Sequence, residues 1–486
     1  MAQDRSSLVC VTRSRRPDYG PVEPVDAPEL PSGAAQTVAA AALRNLLLSW
    51  GLDAARAGTP AWNPLGRWIA PGSTVTVKPN WVSHDNQSGM GMDCLVTHTS
   101  LIEAILEYVA LAKPAAVHVG DAPVQGCDFD ALGRCCRFEA LRSRFSNRGF
   151  ALRIVDFRRT VLREDRAVRE QERRPLDQYV LYDLARESLL TPLDRDARLF
   201  RVTMYHPGRL ARTHAPGVHQ YLVAREVVEA GVVINVPKLK CHKKACITGA
   251  LKNLVGINGN KEFLPHHRKG GASDGGDCYA GSSPWKRLAE GMLDKANRLE
   301  PGAPQRAMFS LSARLAAVAE KLGGDRNLEG SWYGNDTIWR TCLDLQRILA
   351  YGALDGTLRP QRQRTVLHIT DAIIGGEGEG PLAPSPVPSG FLTGAENCAA
   401  AEWVHARLMG MDPRKIPLIR EAFGTFSYPL ADFTPEQISV LLDGDPWPME
   451  RVAPFGGRAF RPPSGWLGHC ELAYDHEPHT QPSVVA

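Results

Sequence analysis

Apolar residues along this chain fall into short dense runs separated by longer stretches with helical spacing. Residues 8–11, 74–77, 115–119, 152–157, 231–236, 365–370 and 391–393 are β-leaning runs too short for a helix and predict strands. Residues 34–50 are rich in Ala and Leu and predict a helix that stops at Gly51. In residues 101–111 the apolar positions Leu101, Ile105, Val109 and Ile102, Leu106 follow helical spacing, with Thr99 or Ser100 as cap. Further helices are expected at 222–229, 311–322, 336–349 and 399–409. Charged residues 158–201 read as an extended loop or small subdomain, the Gly-rich stretch 270–283 as a mobile loop, and the proline-dense stretch 381–388 as a loop.

Strands that alternate with helices, and that are apolar on both faces, predict an α/β fold. The expected sheet is mainly parallel and Rossmann-like, with helices on both faces and a largely helical insertion. The expected organisation is a first core part at 1–265, a glycine-rich loop and helical insertion at 266–360, a second core part at 361–430 and an irregular tail at 431–486. Asp336, Arg340, Asp344 and Arg347 share helical spacing and read as a salt-bridged, exposed face.

Composition narrows the class. The 486 residues are 43% hydrophobic and 23% charged, which excludes wholesale disorder, and Lys plus Arg exceed Asp plus Glu by 57 to 53. A net charge of +4 is too mild to imply nucleic acid, so any anion binding must come from local clusters. No apolar stretch approaches the length of a membrane span, and no apolar segment follows Arg15-Arg16, so a cytoplasmic protein is expected. The 11 cysteines include no C-x-x-C pair and no ferredoxin run, so no intrinsic iron–sulfur cluster is expected.

Polar residues cluster where the predicted strands end: Lys78 and Asn80, then Asp121, then Asn235, Lys238, Lys240 and His242, then Asp371. Open parallel sheets bind ligands outside the carboxyl ends of their strands. In residues 238–261, Lys238, Lys240, His242, Lys243 and Lys244 put several cations into one strand-to-helix turn, and Thr248 opens a short helix carrying Lys252 and Asn253. Lysines beside a helix start form an anion site; period-2 alternation puts Lys238, Lys240 and His242 on one side. The anion-binding candidates are Lys78, Asn80, Lys238, Lys240, Thr248, Lys252 and Asn253. His242, Lys240 and Asp121 are the catalytic candidates. Asp371 and Glu377, on a glycine-rich loop after a strand, are candidates for Mg²⁺ or another divalent metal. Asp121 and Asp371 are expected to face one cleft.

Lys78-Pro79-Asn80, Thr97-His98, Val119-Gly120-Asp121, the run 232–256 and the run 371–381 together resemble the domain-of-unknown-function 362 family. The resemblance covers roughly 8–265 and 365–425, with the helical stretch between less typical. Some members carry a ferredoxin-like module or a twin-arginine leader, and this sequence shows neither. Where members often show Asp-x-x-Ala-x-Asp, this chain reads Asn397 to Glu402, which loses one charge. The resemblance implies no settled reaction. The expected function is that of an enzyme acting on an anionic small molecule, phosphorylated or carboxylated, with metal assistance as an option. The alternatives are a redox protein served by an iron–sulfur partner and a non-catalytic module for an anionic metabolite.

Overall fold

A computed structural model describes residues 5–23, 26–31, 33–34, 36–164, 168–323 and 327–473. Its centre is a 12-stranded sheet. In chain order the strands are β1 (Leu8–Arg13), β2 (Thr74–Pro79), β3 (Ala116–Asp121), β4 (Ala151–Asp156), β5 (Val232–Val236), β6 (Lys238–His242), β7 (Cys246–Thr248), β8 (Thr365–Glu379), β9 (Ala383–Val387), β10 (Phe391–Ala395), β11 (Ser439–Leu442) and β12 (Asp445–Pro446). The neighbouring strands β4, β3, β2, β5 and β8 all run parallel. Beyond β8, β10 is antiparallel to it and β1 is antiparallel to β10.

Side chains alternate across the parallel strands, and each face has its own core. Val75, Val77, Val117, Val119, Val232 and Ile234 pack beneath α1 (Val38–Ser49) and α2 (Thr99–Leu111). Val233, Ala372 and Ala395 face the opposite core. In sequence the chain continues through α3 (Pro284–Ala296), α4 (Ala303–Gly323), α5 (Ile338–Tyr351) and α6 (Cys398–Leu408), and α5 and α6 build that second core. Helices therefore cover both faces, as the doubly apolar strands require. Thr37 caps α1 by accepting from Ala40 N, and His98, not Thr99 or Ser100, caps α2 through Ser100 N. Such caps are worth about 1 kcal/mol each.

Several expectations need correction. Residues 222–229 are not one helix: the strand Val218–Ala224 runs into a single turn, Arg225–Val228. The charged region 158–201 contains an antiparallel pair, Thr160–Glu164 with Val168–Glu172, and the strand Tyr179–Asp183, which pairs with Val218–Ala224. The glycine-rich run 371–379 is not a loop. It is the second half of β8, and Gly376 is needed there because a Cβ would meet Cys94 O and Lys240 Cβ, each at 2.8 Å. The prolines at 384 and 386 sit in β9, which pairs with β8 alone, the edge position where proline is tolerated. The tail is not wholly irregular, since β11 adds a parallel strand beside β1.

The expected salt-bridged face is exposed only in its first half: Arg340 pairs with the partly exposed Asp336 at 3.1 Å, while Asp344 and Arg347 are buried. Asp344 is 0% and Arg347 1% exposed. Asp344 accepts from Ser188 Oγ (2.5 Å), Leu189 N (3.0 Å) and Tyr221 OH (2.9 Å) and pairs with Arg347 (3.1 Å). Charge at helical spacing marks a polar face, but another protein segment satisfies it here in place of water. No helix among the described residues is long and apolar enough to cross a membrane.

Candidate functional site

The carboxyl ends of β2 and β3 open into a cavity of about 500 Å³. Lys78, near the end of β2, lies level with Asn235 of β5, and Asn235 lies level with His368 of β8. Lys78 is fully buried, and its Nζ pairs with Asp121 Oδ1 at 2.6 Å. The other oxygen of Asp121 accepts from Trp81 N at 2.6 Å. Lys78 also donates to Asn253 Oδ1 (3.0 Å), which accepts from Asn80 Nδ2 as well (2.9 Å), while Asn253 Nδ2 donates to Asn235 Oδ1 (2.7 Å). Gly256 makes this network possible: a Cβ there would come within 1.9 Å of Asp121 Oδ1 and 2.7 Å of Lys78 Nζ.

The basic segment is a β-hairpin, not a strand-to-helix turn. β6 and β7 pair antiparallel, so Thr248 lies on a strand, and Lys252 opens a 3-10 helix of only six residues, Lys252–Ile257. The basic lining is therefore made by side chains and not by a helix terminus. Lys244, Lys252 and Lys261 line the cavity together with Lys78. Burial pushes the ammonium groups of Lys78, Lys252 and Lys244 down in pKa, and pushes Lys261 down to about 7. Asp121 opposes the shift at Lys78, and Glu329, 4.0 Å from Lys244, opposes it there. Among the described residues no carboxylate pairs with Lys252, which is 8% exposed. The buried hydroxyl of Thr248, also lining the cavity, has no hydrogen-bond partner among them.

Two histidines complete the lining. His242 Nδ1 accepts from the backbone N–H groups of Lys244 (3.1 Å) and Ala245 (3.2 Å). Those bonds assign the neutral tautomer whose proton is on Nε2. His266 Nδ1 lies 2.6 Å from the carbonyl of Leu264, so it carries the proton and leaves Nε2 as an acceptor. Burial and the neighbouring lysines hold both rings well below the ordinary histidine pKa. The cavity thus joins several cations with one imidazole N–H donor and one imidazole acceptor.

The structure brings Lys78, Asn80, Asp121, His242, Thr248, Lys252 and Asn253 into one cavity, and separates Lys238, Lys240, Asp371 and Glu377 from it. The pairing register of β6 with β8 shifts between Lys238 and Lys240, and such irregularities re-aim side chains. Lys240 is fully buried and donates to Leu95 O, so its expected catalytic and anion-binding roles do not fit its position. Lys238 Nζ pairs with Asp371 Oδ2 at 2.7 Å and donates to Tyr19 OH at 2.6 Å. Asp371 also accepts from Tyr19 OH (2.5 Å) and His98 N (2.9 Å), and the His98 and Tyr19 rings stack at 3.9 Å.

The two metal candidates do not fit a hard cation. The oxygens of Asp371 are taken by an ammonium, a phenol and a backbone N–H, and an ammonium at 2.7 Å opposes a second cation. Glu377 accepts from Arg458 Nη2 (2.7 Å) and Arg461 N (3.0 Å). Asp121 ends β3, whereas Asp371 lies in the middle of the long strand β8, and of the two only Asp121 lines the cavity. Asn397 and Glu402 serve the fold: Asn397 caps α6, and the buried Glu402 accepts from Ala250 N (2.7 Å).

The anion-binding candidates read from the sequence leave out Lys244 and Lys261, although both stand in the basic run. The cavity wall around Tyr205 and Gln125 comes from regions with no recognisable motif.

Fold and cavity define an α/β protein with a lysine-lined pocket at the carboxyl edge of a parallel sheet. Residues 183–407 match the model of the family described as Domain of unknown function (DUF362). The match runs through the helical stretch that the motifs alone had marked as less typical. No curated protein matches the chain. A crystal structure of a structural-genomics protein from Thermotoga maritima is similar at 11% identity, with a TM-score of 0.28. That similarity covers 70% of this chain, which spans 55% of the other protein's length.

Proposed function

We propose that this chain is an enzyme acting on an anionic small molecule, phosphorylated or carboxylated, held in the lysine-lined cavity. The observation that carries the reading is Lys252, a buried ammonium with no carboxylate partner among the described residues, converging with Lys244 and Lys261 on the same space. Burying an unpaired charge is costly, and an incoming anion removes that cost while gaining charge-assisted hydrogen bonds. Thr248 Oγ1 supplies a further polar contact. The histidines orient the bound molecule: His266 Nε2 accepts a hydrogen bond from it, and His242 Nε2–H donates to an oxygen where negative charge develops. Lys78 and Asp121 hold the floor and fix Asn253.

The test is a thermal-shift screen of the full chain against phosphorylated and carboxylated metabolites. Stabilising compounds are then incubated with the protein and followed for product by mass spectrometry. Anion-dependent stabilisation with turnover supports the reading. Stabilisation without turnover leaves a binding module, and no stabilisation by any anion removes the site.

A further inference from the structure

Outside the cavity the structure assembles a second cluster of chemically capable side chains. His267, Cys278 and Glu290 each place one ligand atom so that the three lie within 4.8 Å of one another. His267 sits on the two-residue strand His267–Arg268, Cys278 in the glycine-rich segment, and Glu290 on α3. They are 5%, 0% and 9% exposed. His267 Nδ1 is buried and has no hydrogen-bond partner among the described residues. A nucleophilic role suits the cluster poorly, because Cys278 has no open face.

We infer that His267, Cys278 and Glu290 bind a divalent transition-metal ion, with zinc the best match. Thiolate, imidazole and carboxylate together select Zn²⁺ over the oxygen-preferring Mg²⁺ and Ca²⁺. The charge balances, since thiolate and carboxylate supply two negative charges around a neutral imidazole. Burial by itself favours the protonated thiol of Cys278 and carboxyl of Glu290, and backbone donors work against it. Gly270 N–H donates to both oxygens of Glu290 (3.1 and 3.2 Å), and Glu329 N–H donates to Cys278 Sγ (3.1 Å). Backbone donors of this kind orient metal ligands and stabilise their anionic states. A tetrahedral ion with bonds of roughly 2.0–2.3 Å spaces its ligand atoms roughly 3.3–3.8 Å apart, so small side-chain adjustments suffice. Three protein ligands leave a fourth position for water. The ion would tie the glycine-rich segment to α3 and to the strand beside His266, and so set one wall of the cavity.

The experiment is metal analysis of the full chain after incubation with zinc chloride and desalting, with cobalt substitution in parallel. The expected result is about one zinc per chain and a thiolate-to-cobalt charge-transfer band in the near ultraviolet. Both should be lost in Cys278→Ser and His267→Ala and kept in Cys470→Ser, which removes a thiol elsewhere. Zinc or the cobalt band persisting in a folded Cys278→Ser/His267→Ala double variant would overturn the assignment. If those variants do not fold, the wild type decides alone: folded protein that takes up neither zinc nor cobalt with a thiolate band also overturns it.

Discussion

Nζ of Lys78 lies 2.6 Å from Oδ1 of Asp121, and this pair joins the carboxyl ends of two neighbouring parallel strands under the cavity. Lys78 is fully buried and Asp121 nearly so. Removing one member of a buried pair strands the other charge and costs about 3–5 kcal/mol. Asp121→Ala is therefore expected to lose about that much unfolding free energy in a urea titration. A Lys78→Met/Asp121→Leu double variant should recover much of the loss. Wild-type stability in the single variant would contradict the pairing.

Lys252 gives the opposite signature. Because its ammonium is buried with no carboxylate partner among the described residues, Lys252→Met is expected to hold or raise the melting temperature in the absence of ligand. The same variant should bind sulfate about ten-fold more weakly or worse, the scale of one charge-assisted hydrogen bond of about 1.5–3 kcal/mol. A melting temperature that falls while sulfate still stabilises the variant fully would show Lys252 to be a structural residue.

Lys261 makes the cavity sensitive to pH. Its pKa falls from the ordinary lysine value of 10.5 when unfolded to about 7 when folded. Between those values the unfolded chain holds a proton that the folded chain has released, so this group's contribution to stability rises with pH from about 7 towards 10.5. Anion affinity should run the other way, because the protonated form binds. Sulfate keeps its charge over this range, so its stabilisation of the wild type should shrink from pH 6 to pH 9. Lys261→Met should flatten both trends, as thermal shifts across that pH series would report.

The Lys238–Asp371–Tyr19 cluster is predicted to act on stability and not on binding. Asp371→Asn leaves the buried Lys238 ammonium without its counter-charge and should lower the unfolding free energy by about 3–5 kcal/mol. Sulfate affinity measured by calorimetry at low temperature, where the variant remains folded, should match the wild type. A large affinity loss there would return Asp371 to the site.

Much of this molecule was legible in one dimension. The apolar runs marked the parallel strands because a strand covered on both faces has to be apolar on both. Polar residues at the ends of those strands pointed to one sheet edge, where Lys78, Asn80, Asp121, His242, Thr248, Lys252 and Asn253 line a single cavity. Strand ends converge in a parallel sheet whatever the loops do, so local pattern is enough to find the edge. Which cation meets which anion is another matter. Lys238 and Lys240 share β6 with His242, yet Lys238 pairs with Asp371 and Lys240 donates to Leu95 O, and Tyr19, 352 positions from Asp371 in the chain, closes the cluster around that carboxylate. Asp344 and Arg347 look like a solvated helix face until Ser188 and Tyr221 pack over them. His267, Cys278 and Glu290 have no motif spacing and become neighbours only when the glycine-rich segment folds against α3. Charge pairing, burial and ligand geometry depend on distances of a few ångströms between segments far apart in the chain, and only the packed tertiary structure sets those distances.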